Sequence, residues 1–340
     1  MTGYVKQRLG NYQLHHLIST GTFADIYLGT HLYLDTRVAI KVLRGQMNEQ
    51  ALERFLTRAR HLSHLVHPHI IRVFDFGIEN GTPFLVIDYV PGGNLRQRHP
   101  IGTIVPLSNV ISYVSATASA LQYAHEQHLI HGNLKPENLL LGPQNEILVS
   151  DFGLALIYSD IAGLQVQPRI GTSVYMAPEQ LHGQPRPASD QYALAVMIYE
   201  WLSGQPPSEK PAAELTNQHL FSPFAVSKRH PEHPSAVEQV IFKALSKDPE
   251  QRYIDMLSFA TAFFEGSQTL SPSSPLAVLP AGAIIIEAGQ AKPALRGSHE
   301  YIQKLPVPLT PLIGRQQELQ TARARLMRPE VRLLTITGTP

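Results

Sequence analysis

Four short stretches hold residue types that can handle a phosphate. Val38-Ala39-Ile40-Lys41 is an apolar run ending in a single lysine, suited to hold the α- and β-phosphates of a nucleotide. His131-Gly132-Asn133-Leu134-Lys135-Pro136-Glu137-Asn138 follows a helical pattern and precedes the strand-like Leu139–Leu141. Asp151-Phe152-Gly153 follows the strand-like Ile147–Ser150, and Ala177-Pro178-Glu179 closes the segment. Phosphoryl transfer needs a cover over the phosphates, a cation on them, a metal clamp and a group that orients the attacking hydroxyl. Each tripeptide alone is a weak signal. Together, in this order and on these elements, they leave little room for coincidence.

The elements that must position these residues fall into two blocks. Asn11–Thr20, Ala24–Gly29 and Arg37–Leu43 are rich in Ile, Leu, Val and Tyr between turn residues and read as strands. Leu52, Phe55, Leu56, Ala59 and Leu62 recur at helical spacing. Strands near Ile70–Phe74 and Phe84–Asp88 end at the Pro91-Gly92-Gly93 breaker. Beyond it the pattern is helical. Ile111, Val114, Ala118 and Leu121 line one face of a helix with Ser108 as its expected N-cap. Tyr192–Leu202 is apolar nearly all round, which places it at a domain centre. Two more helices are expected, over about Pro234–Ser246 and Ile254–Phe264, before a Pro/Ser-rich stretch from Gly266.

Composition bounds what the chain can do. Hydrophobic residues make up 43% of 340, enough for a substantial core, and the formal charge of +1 gives no global attraction to nucleic acid or acidic membranes. With no cysteine, disulfides, thiolate metal sites and a cysteine nucleophile are excluded. The segment from Met1 to Gly10 lacks the apolar stretch of a signal peptide, and the run Leu276–Ile286 is broken by Pro280 and Gly282. A soluble, cytoplasmic protein without membrane or nucleic-acid partners is expected.

In its motifs the chain resembles a eukaryotic-type Ser/Thr protein kinase of the sort bacteria also carry, over roughly three quarters of its length. The resemblance implies a bilobal α+β fold at 10–265, with a small β-rich N-lobe carrying one helix and a larger, mostly helical C-lobe. It implies ATP and Mg²⁺ as ligands. Lys41 becomes the phosphate lysine, Asn138 and Asp151 the Mg²⁺ ligands, and Lys135 the γ-phosphate lysine. Ile26, Ala39 and Leu140 would sandwich the adenine, with Ile18 and Gly21 over the nucleotide, Ile87 as gatekeeper and Asp88–Val90 as hinge. Glu179 and Arg252 would form a buried ion pair, and Asp190 would tie the central helix to the catalytic loop. Leu62, Val73, His131 and Phe152 match the internal spine that links the lobes.

Against that pattern, four positions depart. Asn133 stands where the catalytic base is expected, and an amide has no useful basicity. Arg58, nine residues before His67, replaces the helix glutamate that pairs with the phosphate lysine. Ser19 and Ala24 replace glycines of the phosphate-cover loop. Gly132 replaces the arginine that would receive an activation-loop phosphate, and the Asp151–Gly171 segment holds Tyr158 and Ser159 but no threonine. The expected function is therefore a catalytically impaired, ATP-binding kinase-like module with an unknown protein partner. The alternatives are a slow active Ser/Thr kinase and a truncated gene remnant. Residues 1–9 read as a tail and 266–308 as a linker. Residues 309–340, with Leu312-Ile313-Gly314-Arg315 and the strand-like Val331–Thr337 ending in Gly338, resemble the severed start of a STAND-type (AAA+-related) P-loop NTPase that would be an intramolecular partner in a longer parent chain.

Overall fold

A computed structural model describes residues 7–21, 24–44, 48–154, 173–207 and 234–268. The expected NTPase-like segment, most of the linker, Tyr158 and Ser159 lie outside these residues.

The N-lobe is a six-stranded antiparallel sheet in the order β1-β2-β3-β4-β6-β5. Its strands are β1 (Arg8–Leu9), β2 (Tyr12–Thr20), β3 (Ala24–His31), β4 (Arg37–Leu43), β5 (Val73–Glu79) and β6 (Thr82–Asp88). Strand alternation divides β4 between two environments. Val38, Ile40 and Val42 enter a small core with Leu14, Tyr27 and Phe84. On the other side, Ala39 packs with Ile71 and Ile87, and Leu43 joins the main core. The lobe's helix, α1 (Glu49–Ser63), is capped by Asn48, whose side chain accepts from the Ala51 N–H, and it buries Ala51, Phe55, Ala59 and Leu62.

In the C-lobe, α2 (Leu95–Arg98) and α3 (Leu107–Glu126) precede the hairpin β7 (Leu139–Leu141) and β8 (Ile147–Val149). After it come α4 (Pro178–Leu181), α5 (Pro187–Ser203), α6 (Ser235–Ala244) and α7 (Met256–Gln268). α5 is buried nearly all round, including Ser189, Asp190 and Glu200, as its lack of a polar face predicts. The main core runs from α1 through α3 and α5 to α7. The bilobal α+β architecture is thus the expected one.

Four local expectations change. Arg8–Leu9, read as the end of a tail, pair with β2 as β1, and Leu9 is buried. α3 is capped by Pro106, not Ser108, because the fixed proline φ of −54° sets the entry and Ser108 already lies in the first turn. β5 begins at Val73; Ile70 makes only an isolated bridge to Val149. α7 continues through the buried Gly266, where an added Cβ would come within 3.3 Å of the Ala236 backbone, so the first positions assigned to the linker are helical.

The Glu179–Arg252 pair forms as expected and braces the C-lobe. Two guanidinium nitrogens donate to the two carboxylate oxygens at 2.7 and 2.9 Å, and the Ser189 hydroxyl adds a third bond at 2.7 Å. Burial works against the Glu179 charge, but the Arg252 and Ser189 hydrogen bonds outweigh it and hold its pKa below the ordinary glutamate value. Arg252→Ala leaves a buried carboxylate without its cation and should lower the unfolding free energy by about 3–5 kcal/mol. A depressed folded pKa makes the pair's contribution present above the usual carboxylate range and lost as pH falls through the lowered value. Urea unfolding at neutral and acidic pH should therefore show the wild type converging on Arg252→Ala as pH drops.

Candidate active site

Lys41 projects from β4 on the side shared with Ala39 and Leu43, and it is only 3% exposed. Its ammonium lies against the Asp151 carboxylate. Among the described residues this is the carboxylate that meets Lys41; none comes from α1. Arg58 sits half-buried on α1 beside buried Ala59, and Glu53 faces outward. The Lys41–Asp151 pair lines a small, mostly apolar cleft together with Leu62, Leu65, Leu85, Ile87 and Phe152. Such surroundings disfavour a charge: burial pushes the Lys41 ammonium down to about 7, while the adjacent Asp151 carboxylate acts in the opposite direction.

The loop from His131 to Asn138 is fixed by buried hydrogen bonds. Asp190 accepts from the His131 N–H at 2.9 Å, the Gly132 N–H at 2.8 Å and the His125 ring at 2.8 Å. The Asn133 N–H donates to His131 Nδ1 at 3.2 Å, so Nε2 carries the proton that reaches the Ser150 carbonyl at 2.8 Å. Burial pushes the His131 pKa down against the pull of Asp190, which agrees with a neutral ring. That ring also packs on Phe152 with centroids 4.8 Å apart, so the expected spine residues Leu62, His131 and Phe152 are all buried, with Val73 packed against the same core.

Asn138 is drawn into the same frame. Its side-chain amide donates to the Asn133 carbonyl at 2.8 Å, and its own carbonyl accepts both the Ser150 N–H and hydroxyl. Asp151 follows directly with φ +68°, a left-handed conformation that non-glycine residues adopt mainly where structure demands it. Asn138 and Asp151 are therefore held on adjoining strand ends, where they offer an amide oxygen and a carboxylate. Those are hard oxygen donors of the kind Mg²⁺ takes when water and phosphate complete its shell. Burial lowers the Lys135 pKa, with Glu137 opposing.

The residues expected around an adenine also gather. Ala39 and Ile87 pair across β4 and β6, and Ile26, Val90 and Leu140 pack against the same small cluster with Ile71, Val73 and Tyr89. Asp88 pairs opposite Val38, and burial raises its pKa against the lowering effect of Arg72. Ile18 is 43% exposed near the end of β2, apart from that cluster. At Gly21 an added Cβ would meet the Ala24 carbonyl at 2.9 Å, and the Gly21 N–H donates to that same oxygen, so glycine is required at this turn. Ala24, where a glycine was expected, is buried at the edge of the main core.

One cluster beside the loop is invisible to motif reading. Arg96 on α2 reaches Glu137 at 3.1 Å, Glu200 of α5 at 2.5 Å, and the Tyr175 hydroxyl. Tyr175 in turn donates to Glu200 at 2.5 Å, and burial, reinforced by Glu200, pushes the phenol's pKa up. Its members lie 41 to 104 residues from Arg96 along the chain, so no spacing in the sequence could have revealed it.

The protein kinase domain family matches residues 12–263. The chain is 32% identical over 253 residues to the serine/threonine-protein kinase PrkC of Bacillus subtilis, covering 73% of this chain and 39% of that protein. It is 36% identical over 259 residues to PknF of Mycobacterium tuberculosis, covering 72% and 54%. To PknB of Mycolicibacterium smegmatis it is 30% identical over 340 residues, covering 96% and 54%. The chain thus spans about half the length of these curated relatives, or less.

The low Lys41 value has a measurable consequence. A phosphate against Lys41 favours its charged form, so Mg-ATP affinity should be greatest below about pH 7 and fall by up to about tenfold per unit above it. Calorimetry from pH 6 to 9 should show this slope in the wild type and a flat profile in Lys41→Met. Identical profiles would contradict the assignment of a buried, readily deprotonated lysine to the phosphate contact.

Proposed function

The chain belongs to the protein kinase domain family, and on that premise we propose that it is a serine/threonine-protein-kinase-like module that holds Mg-ATP and is catalytically impaired. The observation that carries this reading is a fully braced catalytic loop that presents an amide, Asn133, at the base position. Lys41 would engage the α- and β-phosphates and Lys135 the γ-phosphate. Ile26, Ala39 and Leu140 would enclose the adenine beside Ile87, Ile18 would lie over the nucleotide from the end of β2, and the Asp88–Val90 backbone would serve as hinge. Gly21 would lie over the phosphates.

Asn138 and Asp151 would hold Mg²⁺, which when bound neutralises phosphate charge. In that role Asp151 would give up its contact with Lys41. Asn133 can orient a hydroxyl by hydrogen bonding but cannot take its proton, a loss of about 10²–10⁴ in rate. Arg58 puts a cation where a carboxylate would orient Lys41. The second reading, a slow active kinase, is favoured by the intact Lys135, Asn138 and Asp151, since positioning carries much of phosphoryl transfer.

A regulatory role with a protein partner follows from retained nucleotide binding with weak transfer. The NTPase-like reading of 309–340 rests on its own residues alone. Among the described residues no helix is long and apolar enough to cross a membrane.

A repair experiment tests the proposal. Initial phosphorylation rates of a generic basic protein are compared for wild type, Asn133→Asp, Arg58→Glu and the double variant. Both sites act on one transition state, so the double variant should exceed the product of the singles. A double variant that binds Mg-ATP yet stays as inactive as wild type would place the defect elsewhere, and strong wild-type activity abolished by Asp151→Ala would favour the second reading.

A further inference from the structure

The peptide unit between Gly132 and Asn133 is gripped at both ends. Its N–H, on Asn133, donates to His131 Nδ1 at 3.2 Å, and its carbonyl, on Gly132, accepts from Gln180 Nε2 at 3.0 Å. The other end of the same Gln180 amide accepts from the Ala177 N–H at 3.2 Å. The preceding peptide unit is anchored separately, by the Gly132 N–H on Asp190 at 2.8 Å. Gln180 lies on α4, immediately after the Ala177-Pro178-Glu179 stretch that Arg252 and Ser189 pin to the C-lobe. One uncharged side chain therefore joins the end of the 155–177 stretch to the loop that carries Asn133.

Gly132 explains why that join matters. Its φ of +71° is a conformation in which a side chain is strained, although an added Cβ would meet no atom within 4 Å. A side chain at 132 could have offered a second contact between the two segments. Glycine removes that option and leaves the Gly132 carbonyl as the connection. An amide satisfies both partners at once because it offers a donor and an acceptor on one rigid plane.

We propose that Gln180 is a positioning residue that sets the Gly132–Asn133 peptide unit and couples it to the Ala177–Glu179 stretch without any phosphate. The inference concerns loop geometry and is independent of how much phosphoryl transfer the loop retains, so it can fail while the proposed function stands, and the reverse.

Amide hydrogen exchange tests it on the full chain. Gln180→Met keeps the length of the side chain but makes neither bond, and Gln180→Glu can accept from Ala177 but cannot donate to Gly132. Loss of one such bond corresponds to about tenfold faster local exchange. Peptides spanning 131–138 should exchange about tenfold faster in both variants, with Gln180→Glu at least as fast, while β4 and α5 are unchanged. Phosphatase treatment of the wild type should leave 131–138 unaltered. Unchanged exchange at 131–138 in the variants, acceleration spread equally over β4 and α5, or a phosphatase effect matching that of Gln180→Met would each overturn the proposal.

Discussion

The Asp190 carboxylate, 1% exposed on the most enclosed helix of the domain, takes the His131 and Gly132 N–H groups and the His125 ring as its partners. A carboxylate so buried is tolerated only when it is fully hydrogen-bonded, so α5 and the loop specify one another. From that anchor the order propagates outward. His131 fixes Ser150, Ser150 ties to Asn138, and Asn138 returns to the Asn133 carbonyl, leaving Asp151 at the end of a closed circuit. None of these bonds uses the Asn133 side chain. The frame therefore does not depend on which side chain stands at 133.

The same separation holds for the rest of the site. Apolar packing carries the cluster around Ala39 and Ile87 and the stack of His131 on Phe152, and both are intact. The proposed departures, at Arg58, Gly132 and Asn133, would be changes of charge. Lys41 is a buried ammonium that needs a counter-charge, and it finds one in Asp151. That contact commits a prospective metal ligand to the lysine. Binding Mg-ATP would have to separate the two while giving each a new partner, which makes the cleft's affinity depend on its charges as much as on its walls.

Much of this was legible in the sequence because it is local or strictly ordered. The Val38–Lys41 run, the loop from His131 to Asn138, and Asp151-Phe152-Gly153 each carry their signal within a few consecutive residues, and the all-round apolar character of Tyr192–Leu202 placed α5 at the centre. The Glu179–Arg252 pair was reached only through resemblance. What stayed hidden has a common cause. The Arg96 cluster and the Gln180 bridge join residues far apart in sequence through ordinary polar side chains, and neither spacing nor composition marks them. The Ser108 cap failed for a smaller reason: a favourable capping residue two positions inside the helix lost to a proline already set at the entry angle.

The account stands or falls on whether a cleft held in kinase geometry keeps nucleotide without passing on its phosphate. The most direct measurement is a single-turnover quench experiment with γ-labelled Mg-ATP and protein in excess, following bound label, free phosphate and labelled protein together. The account predicts that the label is retained as intact ATP in the complex, with transfer at least about two orders of magnitude slower than in an active relative. Rapid appearance of the label on protein, or no retained nucleotide at any protein concentration, would contradict it.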